Sequence, residues 1–176
     1  NKPIIVAANG PAIGGAVTSA TLCDAIIASE KATFSTPFAR LGVTPEGCSS
    51  VHFERLMGAK NAQRMLGEEG YVPTGHEAKE IGLVDEVVPH EQLLSTAREL
   101  AERWIAEGRT RQFRAGLTHA EASAINAEES PRLAAAFLDS PFILGQATFL
   151  RKKKKWGPSA LFYSLWMTRP MWSLLL

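Results

Sequence analysis

Short apolar runs broken by glycine and proline open the chain, and longer segments of helical spacing close it. Residues 4–8 form an unbroken apolar run of strand length. Asn9-Gly10-Pro11-Ala12 reads as a turn. Beyond Ile13-Gly14-Gly15, the apolar segment 16–22 is expected to be helical. Residues 25–28 read as a second buried strand and 33–35 as a third, kept extended ahead of Pro37. Residues 41–47 read as a loop, and 49–57 and 59–66 as two helices parted by Gly58. Tyr71-Val72 is a short extended piece. Thr74, with Glu77 three residues on, forms a capping box, and the helix it opens is expected to stop at Gly82. Residues 83–88 alternate like a strand. Between 90 and 105, Leu93, Leu94, Ala97, Leu100, Ala101 and Trp104 recur at helical spacing and predict one apolar face. Residues 111–155 read as further helices with breaks near Pro131 and Pro141, where Leu133, Ala134, Phe137 and Leu138 make a second face. Strands alternating with helices, then helices alone, predict an α/β core over 1–106, a helical region over 107–155 and an apolar, basic tail over 156–176.

Composition narrows the class. The 176 residues are 45% hydrophobic and 21% charged, a globular balance and not a disordered one. Two cysteines are too few for a disulfide framework, and no Cys/His spacing suits a structural zinc site. The net charge of +1 hides an asymmetry: residues 151–176 hold six basic and no acidic residues, which leaves −5 on the first 150. An acidic body repels polyanions, so no nucleic-acid partner is expected. Arg169-Pro170 interrupts the apolar tail, and no run reaches the roughly 20 residues of a membrane-spanning helix. The tail is instead expected to lie on a protein or a membrane surface. The chain opens without a methionine, directly on a core strand, which suggests that upstream sequence is missing. Its end, Ser173-Leu174-Leu175-Leu176, is no peroxisomal or retention signal.

Two segments carry candidate chemistry. The glycine turn 9–15 lies between a buried strand and a short helix. Glycine there allows close approach of a ligand, and free N–H groups at a helix start can hold an anion or an oxyanion. From the glycines alone, a tight turn with no ligand is the commoner reading. The spacing is neither a phosphate-binding P-loop nor GxGxxG. Glu46, in Leu41-Gly42-Val43-Thr44-Pro45-Glu46-Gly47-Cys48, is the only acid between Glu30 and Glu54. Proline and glycine fix its direction, and a carboxylate so held can move protons; alone, a solvated loop glutamate is the commoner reading. Cys48, Ser49, Ser50 and His52 match no nucleophile elbow, since GxSxG is absent.

Together the segments resemble the crotonase, or enoyl-CoA hydratase/isomerase, superfamily. The resemblance rests on residues 2–15 (Lys2-Pro3-Ile4 to Gly14-Gly15), Cys23-Asp24-Ala25-Ile26-Ile27-Ala28, Ala32-Thr33-Phe34, Leu41-Gly42-Val43-Thr44-Pro45, Met65-Leu66-Gly67, 78–84 and Val87-Val88-Pro89. It implies an α/β, crotonase-like spiral of ββα units, N-terminally incomplete here and followed by C-terminal helices. It also implies a Gly15 N–H that serves the oxyanion hole, the family's other donor lying upstream of Asn1. Ala12, Ile13, Gly14, Phe38, Leu41 and Pro45 are the residues it implies for substrate binding. Where family hydratases carry their two catalytic glutamates, this chain has Thr18 and Phe38. The segment 44–50 instead resembles peroxisomal-type Δ3,Δ2-enoyl-CoA isomerases, whose single base stands at the place of Glu46. The resemblance therefore implies isomerisation of 3-enoyl-CoA to 2-enoyl-CoA in fatty acid β-oxidation. The alternatives are a non-catalytic acyl-CoA-binding or scaffold protein on the same fold, or a hydratase-related activity. It implies no cofactor beyond the coenzyme A of the substrate, and a homotrimer or hexamer. The absent targeting signal fits a bacterial cytoplasm, the alternative being a peroxisome or mitochondrial matrix.

Overall fold

The computed structural model describes residues 1–175. Its first half repeats one unit. Strand β1 (Ile5–Ala8), strand β2 (Pro11–Ile13) and helix α1 (Gly15–Thr21) are followed by β3 (Ala25–Ser29), β4 (Thr33–Ser35), the short helix α2 (Phe38–Leu41) and the long helix α3 (Ser49–Leu66). Equivalent strands of the two turns pair in parallel, Ile5 opposite Ala25 and Pro11 opposite Thr33. Helix α4 (Gly75–Glu80) and strand β5 (Glu86–Val88) extend the stack, giving a three-stranded sheet of order β1-β3-β5 beside the β2-β4 pair. Parallel strands need a crossover between them, and the second strand and helix of each turn supply it.

Strand β3 lies at the centre, and all five of its residues are buried. Successive side chains leave a strand on opposite faces. Ile26 and Ala28 accordingly enter the main core with Val17, Phe34, Phe53 and Met65. Ile27 faces the other way, onto Val88 and Leu93. Burying a ring such as Phe34 or Phe53 contributes about 1.5–3 kcal/mol. The second face is closed by α5 (Leu93–Ala106), which follows a single 3₁₀ turn, His90–Gln92.

Several expectations need correction. Pro11-Ala12-Ile13 is a strand and not a turn, because pairing with β4 overrides the Gly-Pro signal. Residues 38–41 form a helical turn that periodicity cannot register in four residues. Leu94 is 74% exposed and leaves the α5 face, which Leu93 and Trp104 anchor. Strand β5 starts only at Glu86, with Leu83 and Val84 buried in the preceding turn. Tyr71-Val72 forms no strand; an isolated bridge joins Thr33 to Thr74 instead. The Thr74–Glu77 capping box and the break at Gly58 (φ 78°) are present as expected.

The C-terminal half is helical. Helix α6 (His119–Phe137) opens on a second capping box, Thr118 with Glu121, and runs through Pro131 without breaking. The break comes instead at Leu138-Asp139, where Asp139 caps α7 (Ser140–Lys152) and Pro141 sits in its first turn. Phe137 and Leu138 stay largely exposed, so the second apolar face is only partly covered. The tail is a helix, α8 (Trp156–Trp172), packed along α7 of its own chain. Ser159 Oγ donates to Ala147 O at 2.8 Å, and Arg169 pairs with Asp139 at 2.8 Å. Among the described residues no single helix is long and apolar enough to cross a membrane.

Asp24 ties the helical half to the core. Its carboxylate accepts from Ile4 N–H (2.8 Å), Gln112 N–H (2.5 Å) and the Arg111 guanidinium. Burial pushes its pKa up, but these hydrogen bonds outweigh burial and hold the group below its ordinary value.

Candidate active site

The glycine turn delivers one backbone donor. Gly14 adopts φ 58°, ψ −123°, a region open essentially to glycine, and its N–H donates to Ser35 O at 2.8 Å. The kink starts α1 abruptly at Gly15, whose N–H has no intrahelical acceptor because it belongs to the first residue of the helix.

The loop after α2 brings a carboxylate to the same place. It makes three left-handed turns, at Gly42 (φ 68°), Gly47 (φ 63°) and Cys48 (φ 66°). Gly42 allows contact with α7: a Cβ there would stand 2.8 Å from Pro141 Cβ. Gly47 allows contact with α1: a Cβ there would stand 2.8 Å from Thr18 Oγ1. Between them Glu46 turns towards α1, and its Oε1 accepts from Thr18 Oγ1 at 2.7 Å. The same oxygen lies 3.7 Å from where a Cβ on Gly15 would sit. The Gly15 backbone and the Glu46 carboxylate, distant in sequence, thus lie side by side, at a spacing where a Cβ on Gly15 would be in ordinary van der Waals contact with Glu46 Oε1.

The other residues singled out from the sequence surround this pair unevenly. Ala12 and Ile13 lie on β2, directly before the glycine kink, with Ile13 61% exposed. Leu41 is 42% exposed at the end of α2, and Pro45 is half-buried beside Glu46. Phe38 is buried at the start of α2, and Thr18 is buried on α1. Ser49 Oγ donates to Glu46 O at 2.7 Å. The His52 ring meets Thr21 O at 3.1 Å and no serine, while its Nδ1 is buried without a partner. Burial raises the pKa of the Cys48 thiol, and the neighbouring Glu129 and Glu46 carboxylates raise it further, so it stays a protonated, inert group.

Glu129 joins the site without a signal in the sequence. This residue of α6 is 4% exposed, and its carboxylate accepts from Cys48 N–H at 2.7 Å and Ser50 N–H at 3.0 Å. An acid in a charged helical stretch carries no local mark that it will be buried against a loop 81 residues away.

Comparison with known proteins places this arrangement. The family profile described as enoyl-CoA hydratase/isomerase matches residues 1–155. The chain belongs to the enoyl-CoA hydratase/isomerase family. The human enoyl-CoA delta isomerase 2 is 50% identical over 88 residues, which is 50% of this chain and 22% of that protein. The human chromodomain Y-like protein is 49% identical over 86 residues, 49% of this chain and 14% of that protein. The crystal structure of an enoyl-CoA hydratase/isomerase from Pseudoalteromonas atlantica T6c superposes with a TM-score of 0.75 at 29% identity, covering 85% of this chain and 62% of that one. The chain spans less than half the length of these curated relatives. The stacked ββα turns described above are the crotonase fold of this enoyl-CoA hydratase/isomerase family. Within that fold, the pair formed by Gly15 and Glu46 is the family member's candidate reaction centre.

Proposed function

We propose that this protein is an enoyl-CoA isomerase that moves the double bond of 3-enoyl-CoA to the 2-position, with Glu46 as its single acid–base. The observation that carries the reading is the placing of one carboxylate, Glu46, against Gly15, while a hydroxyl, Thr18, stands where the family resemblance puts a hydratase glutamate. Adding water requires groups that hold and activate it. Shifting a double bond requires only a base that can return the proton it takes.

The geometry suits that cycle. The Thr18 hydroxyl holds Glu46 Oε1 and leaves Oε2 for the proton. Oε2 removes a proton from C2, and the electron pair of that C–H bond delocalises into a dienolate with negative charge on the thioester oxygen. Gly15 N–H donates to that oxygen; one such donor is worth about 3 kcal/mol of barrier. The Glu46 carboxylic acid then protonates C4, the double bond settles between C2 and C3, and the carboxylate is restored. No atom is gained or lost. Ile13, Leu41 and Pro45 offer apolar surface to the acyl chain, next to the backbone that grips its thioester.

Glu46→Gln should abolish isomerisation of 3-enoyl-CoA, by about 10²–10⁴-fold or more for loss of a general base, while acyl-CoA affinity stays within a few-fold. Wild-type-like turnover in the variant would remove Glu46 from the mechanism. A second reading is an acyl-CoA-binding or scaffold role on the same fold without catalysis. It predicts a wild-type protein that binds acyl-CoA yet turns over neither 3-enoyl-CoA nor crotonyl-CoA.

A further inference from the structure

Glu129 is a buried carboxylate without a counter-ion. Among the described residues no Lys, Arg or His lies within ion-pair distance of it. A buried charge is tolerated only where hydrogen bonds replace its lost hydration. Here the start of α3 supplies them. Oε2 accepts from Cys48 N–H (2.7 Å), and Oε1 accepts from Ser50 N–H (3.0 Å) and Ser50 Oγ (2.5 Å). Ser49 N–H and Oγ turn to Glu46 O, so the opening donors of α3 are all occupied.

The competition for those donors matters. Free N–H groups at a helix start attract the nearest carboxylate. Glu46, two residues ahead of Cys48, is the nearest acid along the chain. A Glu46 side chain folded back as a cap on α3 would turn away from Thr18 and Gly15. In the folded protein Glu129 fills the site instead, and its bond to Cys48 N–H also holds that non-glycine residue in its left-handed conformation (φ 66°), which is ordinarily strained.

We propose that Glu129 is the positioning residue of this site: it occupies the N–H groups that open α3 and so keeps the Glu46 carboxylate turned towards Thr18 and Gly15. The kinetic part of this inference rests on the isomerase reading above; the structural part does not. In the whole protein, Glu129→Ala should lower kcat for 3-enoyl-CoA isomerisation by about 100-fold, the usual cost of a 1 Å misplacement, with KM within about twofold. Glu129→Gln keeps one acceptor oxygen and should recover part of that loss. A role confined to stability would lower Tm and leave kcat intact at temperatures well below it, and that result overturns the proposal. In a crystal structure of Glu129→Ala, Glu46 should have left Thr18 for the α3 amides; an unchanged bond between Glu46 and Thr18 overturns the proposal whatever the activity. A wild-type protein without isomerase activity would refute the isomerase reading alone, with the crystal structure still deciding the role of Glu129. Should Glu129→Ala not fold, Glu129→Gln and Ser50→Ala carry both measurements, with a several-fold fall in kcat expected from each.

Discussion

Gly47 and Gly108 both adopt a left-handed backbone, with φ of 63° and 64°, but a Cβ on Gly47 would meet Thr18 Oγ1 at 2.8 Å whereas one on Gly108 would meet nothing within 4 Å. The pair separates backbone strain from collision. Gly108→Ala should cost about 1–2 kcal/mol, the left-handed penalty alone. Gly47→Ala should cost more and should also reduce turnover, because the loop must lift Glu46 off α1 to make room. Denaturant unfolding of both variants measures the difference, and equal losses would mean that Thr18 does not press on the loop. At this scale Glu46 stands out in the sequence as an isolated acid between Pro45 and Gly47, though it is the family resemblance and not the local pattern that makes it the candidate base. Its supports do not stand out. Thr18 is one hydroxyl among several on an apolar helix, and Glu129 is one acid among the charged residues of α6. Their roles come from tertiary contacts that leave no local pattern.

Helix α3 links the site to the core, and it carries a pH-sensitive residue. His52 is fully buried on it, with one ring nitrogen against Thr21 O and the other unpartnered. Burial lowers its pKa below the ordinary value of about 6.5, the hydrogen bond to Thr21 opposes this, and the nearby Arg114 and Arg55 charges add to the lowering. The native state therefore rejects a proton that the unfolded chain accepts. The stability contributed by the neutral ring is fully present above about pH 6.5 and is lost as the pH falls from there towards the lowered native value. Between about pH 7.5 and 5, wild-type Tm should fall more steeply than that of His52→Gln; parallel curves would show that His52 does not titrate with folding. Elements marked by a continuous apolar run, such as β1, β3 and α1, or by clear helical spacing, such as α5, are readable from the sequence to within a few residues. Strand β2 is not, since a glycine and a proline mask three residues that only β4 makes extended. Helix α6 passes through Pro131 because a helix anchored by its capping box and by packing tolerates one lost backbone bond that an isolated segment would not.

Across the whole molecule, charge and apolar surface are unevenly shared. In the basic run, Arg151 and Lys152 end α7 and Lys153 to Lys155 form the turn into α8, on which exposed Trp156, Met167 and Met171 lie. A groove of about 590 Å³ between β1 and α5, lined by Pro3, Ile5, Ala101, Trp104 and Ile105 among others, adds further apolar surface. Surfaces of this kind mark contacts with other chains, and a homotrimer or hexamer is the assembly we expect. Light scattering at micromolar concentration tests it, and a monomer would refute it. Neutralising Lys152, Lys153, Lys154 and Lys155 should weaken coenzyme A binding several-fold at low ionic strength and very little near 1 M salt, where the screening length is about 3 Å. An affinity unchanged at low salt would remove these lysines from phosphate recognition.

The loop that carries Glu46 is held from three directions, and the holders enter the chain at very different times. Thr18 precedes it by 28 residues, Glu129 follows Cys48 by 81, and Pro141, against Gly42, comes later still. Contacts of such long sequence separation form late, because the intervening chain must first surrender its freedom. The stacked strands are complete by Val88. A nascent chain can therefore hold its core while Glu46 still lacks its tethers on α6 and α7, and on the isomerase reading its reactivity towards acyl-CoA appears only when those helices dock. On that reading synthesis and the onset of catalysis would be coupled: a chain that ends before α6 would hold the stacked strands and lack two of the three supports of Glu46.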